Sequence, residues 1–158
     1  MQRLSSRKLA LLGMCVLAAI LGARVYSERP ESFGESAQAQ GAKSNITLLG
    51  RLIYGEARGE PYLGQVAVGA VVINRTAHPR FPKTLAGVIF QPGAFDAVSD
   101  GQIWRGLKNQ NLQAAQAALS GWDPTGGSLF YWNPATATSR WIWSRKIVAR
   151  IGKHVFGI

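Results

Sequence analysis

Apolar residues recur at helical spacing between residues 46 and 53, so this segment is expected to form a helix with one face against a core. The stripe consists of Ile46, Leu49, Leu52 and Ile53, and Glu56 continues it at about 100° per residue. An isolated ionised carboxylate on a buried face is costly, so the pKa of Glu56 should rise. A carboxyl group that keeps its proton near neutral pH can act as a general acid.

A second apolar segment supports an α+β fold, with helices first and small β elements late. Residues 66–73 form an unbroken apolar run. We interpret this run as a buried helix that ends near Thr76 rather than as a strand, although periodicity alone does not decide. The other predicted helices begin at Ser44, Thr84 and Asn109 or Asn111, and the predicted strands cover residues 129–132, 141–143 and 148–156.

The N-terminal segment has the pattern of an export signal. Three basic residues precede an uncharged apolar run over residues 9–23, which is short for a transmembrane helix and typical of a signal peptide. Two outcomes stay open: cleavage after Ala39, or retention of the apolar run as a membrane anchor. Residues 24–43 are polar and predict a flexible linker.

The remaining chain, residues 40–158, is expected to be a single basic domain, preceded by a signal or anchor plus linker over residues 1–39. It carries 13 Lys and Arg against 5 Asp and Glu, a net charge of +8. Outside the cytoplasm, this charge favours an anionic partner such as cell wall or membrane lipid over nucleic acid. The only cysteine, Cys15, lies in the apolar run, so the domain has no disulfide. The sequence predicts neither a metal nor a cofactor and identifies no protein partner.

Few residues other than carboxylates can carry chemistry in this domain. His78 and His154 have neither a G-x-S-x-G partner nor metal-ligand spacing, and they are interpreted as surface or packing residues. Asp96 and Asp100 lie in an irregular segment beside aromatic residues, where polar side chains either line a groove or brace their own loop. Two other acids are interpreted as a helix-entry residue and a turn residue, namely Glu60 and Asp123.

All five tryptophans lie late in the chain, close to several amide side chains. Sugar rings have apolar faces and polar edges, so flat aromatic rings beside amides suit a glycan cleft. The alternative is that such rings form the core of a small domain, and this is the interpretation for Trp122 and Phe130. The residues expected to contact a glycan are Phe95, Gln102, Tyr131, Trp132, Asn133 and Trp141.

Several long motifs, occurring in one order, resemble the cell wall hydrolases related to spore cortex-lytic enzymes (SleB-like). Tyr-Gly-Glu-Ala-Arg-Gly-Glu-Pro stands at residues 54–61, and Val-Ile-Asn-Arg stands at 72–75. Phe-Asp-Ala-Val-Ser-Asp-Gly-Gln follows at 95–102, and Trp-Ile-Trp at 141–143. The resemblance covers about residues 44–156, which is essentially the whole expected domain.

This resemblance implies an exported, lysozyme-like catalytic domain that acts on peptidoglycan in the cell envelope or spore cortex. It implies Glu56 as the catalytic acid and a cut between N-acetylmuramic acid and N-acetylglucosamine. The implied reaction is that of a lytic transglycosylase, which leaves a 1,6-anhydro end. Two alternatives stay open: a water-using muramidase with Asp96 or Asp100 as second carboxylate, and a non-catalytic wall-binding module. The longer spore enzymes carry a separate peptidoglycan-binding module, so targeting here is expected to rest on the basic surface, an anchor or a partner.

Overall fold

The computed structural model describes residues 31–158, and the chain divides into two compact units after Ala42. The architecture given below is that of the second unit, residues 43–158. The signal or anchor predicted over residues 9–23 lies outside the described residues. Between residues 31 and 158, no helix combines the length and the hydropathy needed to cross a bilayer. The domain boundary predicted between residues 39 and 40 stays a prediction.

Helices precede a small sheet, and this order confirms the predicted α+β class. The α-helices are α1 (Glu31–Ala57), α2 (Tyr62–Ala77), α3 (Leu85–Ile89), α4 (Asp96–Ser99), α5 (Asn109–Leu119) and α6 (Arg140–Trp143). A short 3-10 helix, η1, covers Gln102–Trp104. The strands are β1 (Phe130–Trp132), β2 (Ile147–Ile151) and β3 (His154–Gly157).

The core forms around α2, which confirms that the apolar run of the sequence is a buried helix. Residues 64–72 of α2 are all buried. The apolar stripe of α1 packs here as predicted, with Leu49 and Ile53 fully buried. Gly69 lets α2 approach α5 closely, because a Cβ on it would lie 3.0 Å from Ala118 Cβ. The helices therefore meet through small side chains, and little space remains for substitution.

The three strands form an antiparallel sheet in the order β1-β3-β2. Tyr131 of β1 lies opposite Phe156 of β3, and Phe156 is fully buried against the helices. The pairing of β2 is irregular between Ile147 and Ala149. This register places Tyr131 in the strand at one edge of the sheet, close to the core.

The turn between β2 and β3 is attached to the connection between α1 and α2. Glu60 Oε2 accepts a hydrogen bond of 2.8 Å from the Lys153 backbone N–H. Gly152 has a φ of +60°, and a Cβ at this position would collide with the Glu60 carboxylate. The positive φ and this collision each require glycine at residue 152. Glu60 makes no side-chain cap of α2 but contacts the sheet as well, and its predicted role in complementing the dipole of α2 stays a prediction.

The first helix is longer than the sequence predicts. The flexible linker predicted over residues 24–43 is wrong over its described part, because α1 begins at Glu31 rather than at Ser44. Residues 36–42 are rich in Ala and Gln, which are strong helix formers. The polar composition led to the prediction of a linker. Residues 31–43, however, contain no proline, and their helix propensity permits a helix.

Three predictions for the aromatic residues are corrected. The strand predicted over residues 141–143 is the single helical turn α6, which Ser144 closes by donating its hydroxyl proton to Trp141 O at 2.8 Å. Trp122, expected in the core, is 48% exposed and packs on Tyr62 at the surface, because the chain turns away after α5. Phe130 is only partly buried and lies outside the core cluster. The prediction for residues 141–143 was wrong because three residues are too few for a periodic pattern to distinguish a strand from a helical turn.

Candidate active site

A groove of about 550 Å³ lies where the end of α1, the loop before α4, strand β1 and the segment before α6 meet. This volume lies in the usual range for ligand sites. Its charged, aromatic and amide lining comprises Glu56, Arg75, Phe95, Asp96, Tyr131, Trp132, Asn133, Trp141 and His154. A second hollow of about 590 Å³, beside the loop that follows α2, has no carboxylate in its lining.

Glu56 is held in the groove by one hydrogen bond to each carboxylate oxygen. It lies on the last turn of α1, on the same face as the buried Leu52 and Ile53, as the sequence predicts. Its Oε1 accepts a bond of 2.8 Å from the Ala97 backbone N–H of α4. Its Oε2 accepts a bond of 2.8 Å from the Tyr131 hydroxyl of β1. Three separate elements therefore fix the position of one carboxyl group.

The pKa of Glu56 is raised above the ordinary value of 4.5, mainly because burial penalises the charged form. The hydrogen bonds from Ala97 and Tyr131 oppose this shift, since both favour the carboxylate, while the negative charges of Asp96 and Asp100 reinforce it. Burial outweighs the hydrogen bonds. The predicted rise in the Glu56 pKa is thus confirmed in direction, and its physical cause is the predicted one.

Tyr131 keeps its hydroxyl proton and can therefore donate it to the Glu56 carboxylate. Burial, followed by the nearby Glu56 charge, raises the pKa of the Tyr131 hydroxyl well above its ordinary value. The hydroxyl consequently keeps its proton. A phenol can also accept a hydrogen bond after rotation of its O–H, so Tyr131 can stay paired with either protonation state of Glu56.

Five of the six predicted glycan contacts lie in the groove. They are Phe95, Tyr131, Trp132, Asn133 and Trp141. Gln102 is absent from the lining, because its side chain is engaged elsewhere: it donates to Asp100 Oδ2 of its own loop at 2.5 Å and accepts from Arg58 Nη1, 44 residues earlier in the chain, at 3.0 Å. Nothing in this geometry supports a substrate contact by Gln102.

The aromatic and amide side chains of the groove differ in their exposure and in whether their polar groups are already hydrogen-bonded. Trp141 is 53% exposed and packs edge-on against Phe130, with ring centroids 5.1 Å apart. Trp132 is only 6% exposed, and its indole N–H makes no hydrogen bond within the described part of the chain. Asn133 uses its Oδ1 to accept from the Ala135 N–H at 3.0 Å. Trp141 is therefore the most exposed ring of the lining, with Arg145 Cζ 4.6 Å from the centroid of its ring.

The two aspartates that the sequence left open have different surroundings. Asp96 is exposed and lines the groove. Asp100 braces its own loop, with Oδ1 accepting from the Gln102 N–H at 2.9 Å, and it does not line the groove. Over residues 31–158, no three His, Cys, Asp or Glu side chains are grouped so that they could hold a metal ion.

Arg75 and His154 line the groove although the sequence analysis assigned neither to a site. Arg75 lies on the buried face of α2, three residues after Val72, where a cation is as unexpected as the carboxylate of Glu56. That shared anomaly is the sequence signal that could have found it. His154 packs against Tyr131, with ring centroids 5.3 Å apart, in agreement with the predicted packing role. Burial lowers the pKa of His154.

Comparison with known proteins places this geometry in a family. Residues 59–157 match the Cell Wall Hydrolase family, a match that begins just after Glu56. A spore cortex-lytic enzyme from Bacillus cereus is 47% identical over 135 residues, covering 85% of this chain and 52% of that protein. One from Bacillus subtilis is 53% identical over 115 residues, covering 73% of this chain and 38% of that protein. The chain therefore spans about half or less of the length of these relatives.

A shorter relative and two solved structures match over most of their own length. Cell wall hydrolase CwlJ of Bacillus subtilis is 30% identical over 128 residues, covering 76% of this chain and 89% of that protein. The catalytic domain of Bacillus cereus SleB aligns with a TM-score of 0.69 and 52% identity, covering 73% of this chain and 91% of that chain. The catalytic domain of the germination-specific lytic transglycosylase SleB from Bacillus anthracis aligns with a TM-score of 0.69 and 53% identity, covering 72% and 93%. The fold implied by the sequence resemblance is confirmed.

Proposed function

This chain belongs to the Cell Wall Hydrolase family, and on that premise we propose that it cleaves peptidoglycan glycan strands as a lytic transglycosylase, with Glu56 as general acid and then base. The observation that carries the proposal is the partly buried Glu56 carboxyl, bonded to Ala97 and Tyr131 in a groove of about 550 Å³ with a polar lining. The similarity to the Bacillus anthracis catalytic domain, whose description is lytic transglycosylase, supports the reaction type.

In the first step, Glu56 acts as the acid. It donates its proton to the oxygen that joins C1 of N-acetylmuramic acid to N-acetylglucosamine, and the C1–O bond breaks. The leaving sugar departs as an alcohol, and positive charge develops at C1 and the ring oxygen. The raised pKa of Glu56 suits this step, because burial keeps the proton available at a pH where an ordinary glutamate has lost it.

In the second step, the Glu56 carboxylate acts as the base. It removes the proton from the C6 hydroxyl of the same muramic residue, whose oxygen attacks C1 and closes the 1,6-anhydro ring. The proton lost in the first step is thereby regained, and no water is consumed. The hydrogen bonds from Ala97 and Tyr131 stabilise the carboxylate between the two steps. A second carboxylate is not required, which agrees with a domain that has only five acidic residues.

The mass of the product tests the reaction type. Purified sacculi digested with the protein should yield glycan fragments whose ends are one water lighter than reducing ends, because the C6 hydroxyl replaces water as nucleophile. Mass spectrometry of the soluble fragments measures this directly. Fragments with reducing ends alone would contradict the transglycosylase reaction and would favour the muramidase alternative.

That alternative rests on one observation, the exposed Asp96 in the groove lining. A water-using muramidase would employ Asp96 as second carboxylate, and Asp100 is a poorer candidate because Gln102 engages it. Conversion of Asp96 to asparagine separates the two reactions, since a transglycosylase keeps most of its activity and a muramidase does not. A non-catalytic wall-binding module would clear no band in a gel that contains peptidoglycan.

Replacing Tyr131 by phenylalanine should lower the rate and move the pH profile. The lost hydroxyl favours the carboxylate form, so the pKa of Glu56 should rise further. The acid must be protonated, so activity falls as pH rises through this pKa, and in the variant the fall should occur at higher pH. We expect about a tenfold loss of kcat, the scale of one charge-assisted hydrogen bond. The measurement is kcat against pH on a soluble glycan.

A matched control for this variant is Tyr62→Phe, which removes the hydroxyl of a partly buried tyrosine beside Trp122, outside the groove. This control should keep both the rate and the pH profile. A Tyr131→Phe variant whose alkaline limb stays in place, or moves to lower pH, would show that the hydroxyl does not act on Glu56.

We further propose that the protein acts outside the cytoplasm, in the cell envelope or the spore cortex. The basic charge of residues 40–158 favours adhesion to an anionic wall polymer. Residues 9–23 are proposed as an export signal or membrane anchor. Fractionation of cells that express the full chain distinguishes these two: a cleaved product in the medium or wall indicates a signal, and a full-length product in the membrane fraction indicates an anchor.

A further inference from the structure

Arg75 is a buried cation that makes no salt bridge in the described part of the chain, although the Glu56 charge acts on it from a longer distance. Its side chain is 7% exposed, and its Nε donates a hydrogen bond of 2.8 Å to Leu129 O. Its Cζ lies 5.3 Å, 5.1 Å and 5.7 Å from the ring centroids of Phe81, Phe95 and Phe130 respectively. Three aromatic rings and one carbonyl therefore surround a charge that other proteins neutralise with an acid.

The terminal nitrogens of Arg75 are available for a ligand. A guanidinium carries five N–H donors, and the structure uses only the one on Nε among residues 31–158. Arg75 also lines the groove that contains Glu56. Cation–π contacts offset part of the cost of burying the charge, but they satisfy none of the remaining N–H groups. The terminal nitrogens are not among the buried side-chain atoms that lack a hydrogen-bond partner, so they keep access to the groove that Arg75 lines. Donors that face a ligand groove and are not used by the protein indicate a group that the ligand supplies.

We propose that Arg75 forms an anion subsite of the groove, which binds a carboxylate carried by the glycan substrate. The inference rests on the proposed function, because peptidoglycan supplies the ligand. Its muramic residues carry a carboxylate either on the lactyl ether, where no peptide is attached, or on the peptide arm. A planar carboxylate matches the paired N–H groups of a guanidinium in a bidentate arrangement. The three phenylalanine rings hold the guanidinium in place and keep its orientation fixed for this contact.

The subsite also explains how the groove accepts an anion next to a carboxyl group. Asp96 and Glu56 both line the groove, and two carboxylates would repel a third. Glu56 is neutral while it acts as the acid, and Arg75 supplies a positive charge beside it. Binding of a charged substituent and protonation of Glu56 are thus compatible in the same complex.

Direct binding to the Glu56→Gln chain tests the ligand side of the proposal without turnover. Isothermal titration compares three tetrasaccharides of alternating N-acetylglucosamine and N-acetylmuramic acid. The first has free lactyl carboxylates, the second has them converted to carboxamides, and the third carries peptide arms with free carboxyl groups. We expect the first, the third or both to bind about tenfold or more tightly than the carboxamide. The stronger of the two charged ligands identifies the source of the carboxylate, and equal Kd values for all three would overturn the proposal.

Substitution of Arg75 tests the protein side. Arg75→Gln should abolish the preference for carboxylate over carboxamide, and Arg75→Lys should retain part of it, because lysine keeps the charge and loses the fork. Arg80→Gln is the matched control, since it removes an exposed arginine that does not line the groove. Thermal unfolding of each variant separates loss of fold from loss of binding. The titration of the Glu56→Gln chain with charged and carboxamide glycans needs no such control, because the protein is the same in both measurements.

The two proposals fail in different ways. Absence of cleavage by the wild-type chain would refute the proposed function, and the binding comparison would still stand. Cleavage of charged and carboxamide glycans with equal KM would refute the subsite alone. A loss of kcat with a shifted pH profile in Arg75→Gln, at unchanged carboxylate preference, would also overturn the subsite, because Arg75 would then be a positioning residue for Glu56.

Discussion

Glu56→Gln should abolish digestion of purified sacculi while the domain stays folded. Glutamine has nearly the same shape as glutamate but can neither donate nor recover the proton that the proposed reaction requires. Its amide can still accept from the Ala97 N–H and can donate to the Tyr131 oxygen, so the surrounding contacts remain. Loss of one general acid–base group costs on the order of 10²–10⁴-fold in rate. Release of soluble glycan from sacculi measures the effect, and a variant that digests as wild type would refute the role of Glu56.

The same substitution should not lower the stability of the domain at neutral pH. The folded-state pKa of Glu56 is raised above the ordinary 4.5, so its stabilising contribution is complete below that value and is lost as pH rises through the folded pKa. Glutamine carries no charge at any pH. Thermal unfolding of Glu56→Gln should therefore occur at the same temperature as wild type at acidic pH and at the same or a higher temperature at pH 7.

Glu60→Gln provides the contrast, because it makes the same carboxylate-to-amide change outside the groove. Glu60 accepts the Lys153 N–H and supports the turn of the sheet. That variant should keep cleavage and lose some stability. The pair of variants thus separates a carboxylate that serves chemistry at the expense of stability from one that serves the fold.

Gly55→Ala should cause a large loss of activity although it lies in a helix and adds a single methyl group. A Cβ on Gly55 would lie 2.5 Å from Ala97 Cβ, closer than real Cβ atoms approach. Helix α4 must therefore move, and with it the Ala97 N–H that holds Glu56 Oε1. Displacement of a catalytic group by about 1 Å can cost roughly 10²-fold in rate. Overpacking of this kind costs about 1–3 kcal/mol in stability, which exceeds the gain of about 1 kcal/mol in helix propensity.

A double substitution distinguishes this collision from a general defect of α1. Ala97→Gly removes the opposing methyl group, so the pair Gly55→Ala and Ala97→Gly should recover much of the activity that Gly55→Ala loses. Gly59→Ala is the control, because a Cβ there meets nothing within 4 Å. Initial rates on a soluble glycan and unfolding temperatures measure both effects. A Gly55→Ala variant as active as wild type would show that α4 does not position Glu56.

The parts of the fold that local periodicity determines could be predicted from the sequence. The stripe that ends in Glu56, and the apolar run that forms α2, follow from spacing and composition along one helix. Five of the six residues predicted to contact a glycan line the groove, and four of them could be grouped because they lie in or shortly after one strand; their contact with a glycan stays a prediction. The resemblance of several motifs to one family extended this prediction to the whole domain.

The parts that depend on distant partners could not be predicted. The Ala97 N–H comes from a segment without any period, and its distance from Glu56 depends on the packing of Gly55 against α4. Gln102 bonds to Arg58, 44 residues earlier in the chain, and this bond removes it from the groove. The position of Arg75 on the buried face of α2 is a signal that the sequence carries, but the three rings around it come from other segments and could not be predicted.

The contact between Glu60 and the turn at Gly152 has a consequence for how this sequence can vary. A side chain at residue 152 fits only if the carboxylate at residue 60 withdraws, and a shorter or apolar residue at 60 leaves the Lys153 amide without its acceptor. Substitutions at these two positions, which lie 92 residues apart in the sequence, are therefore coupled. Change at either is admissible mainly when the other changes with it.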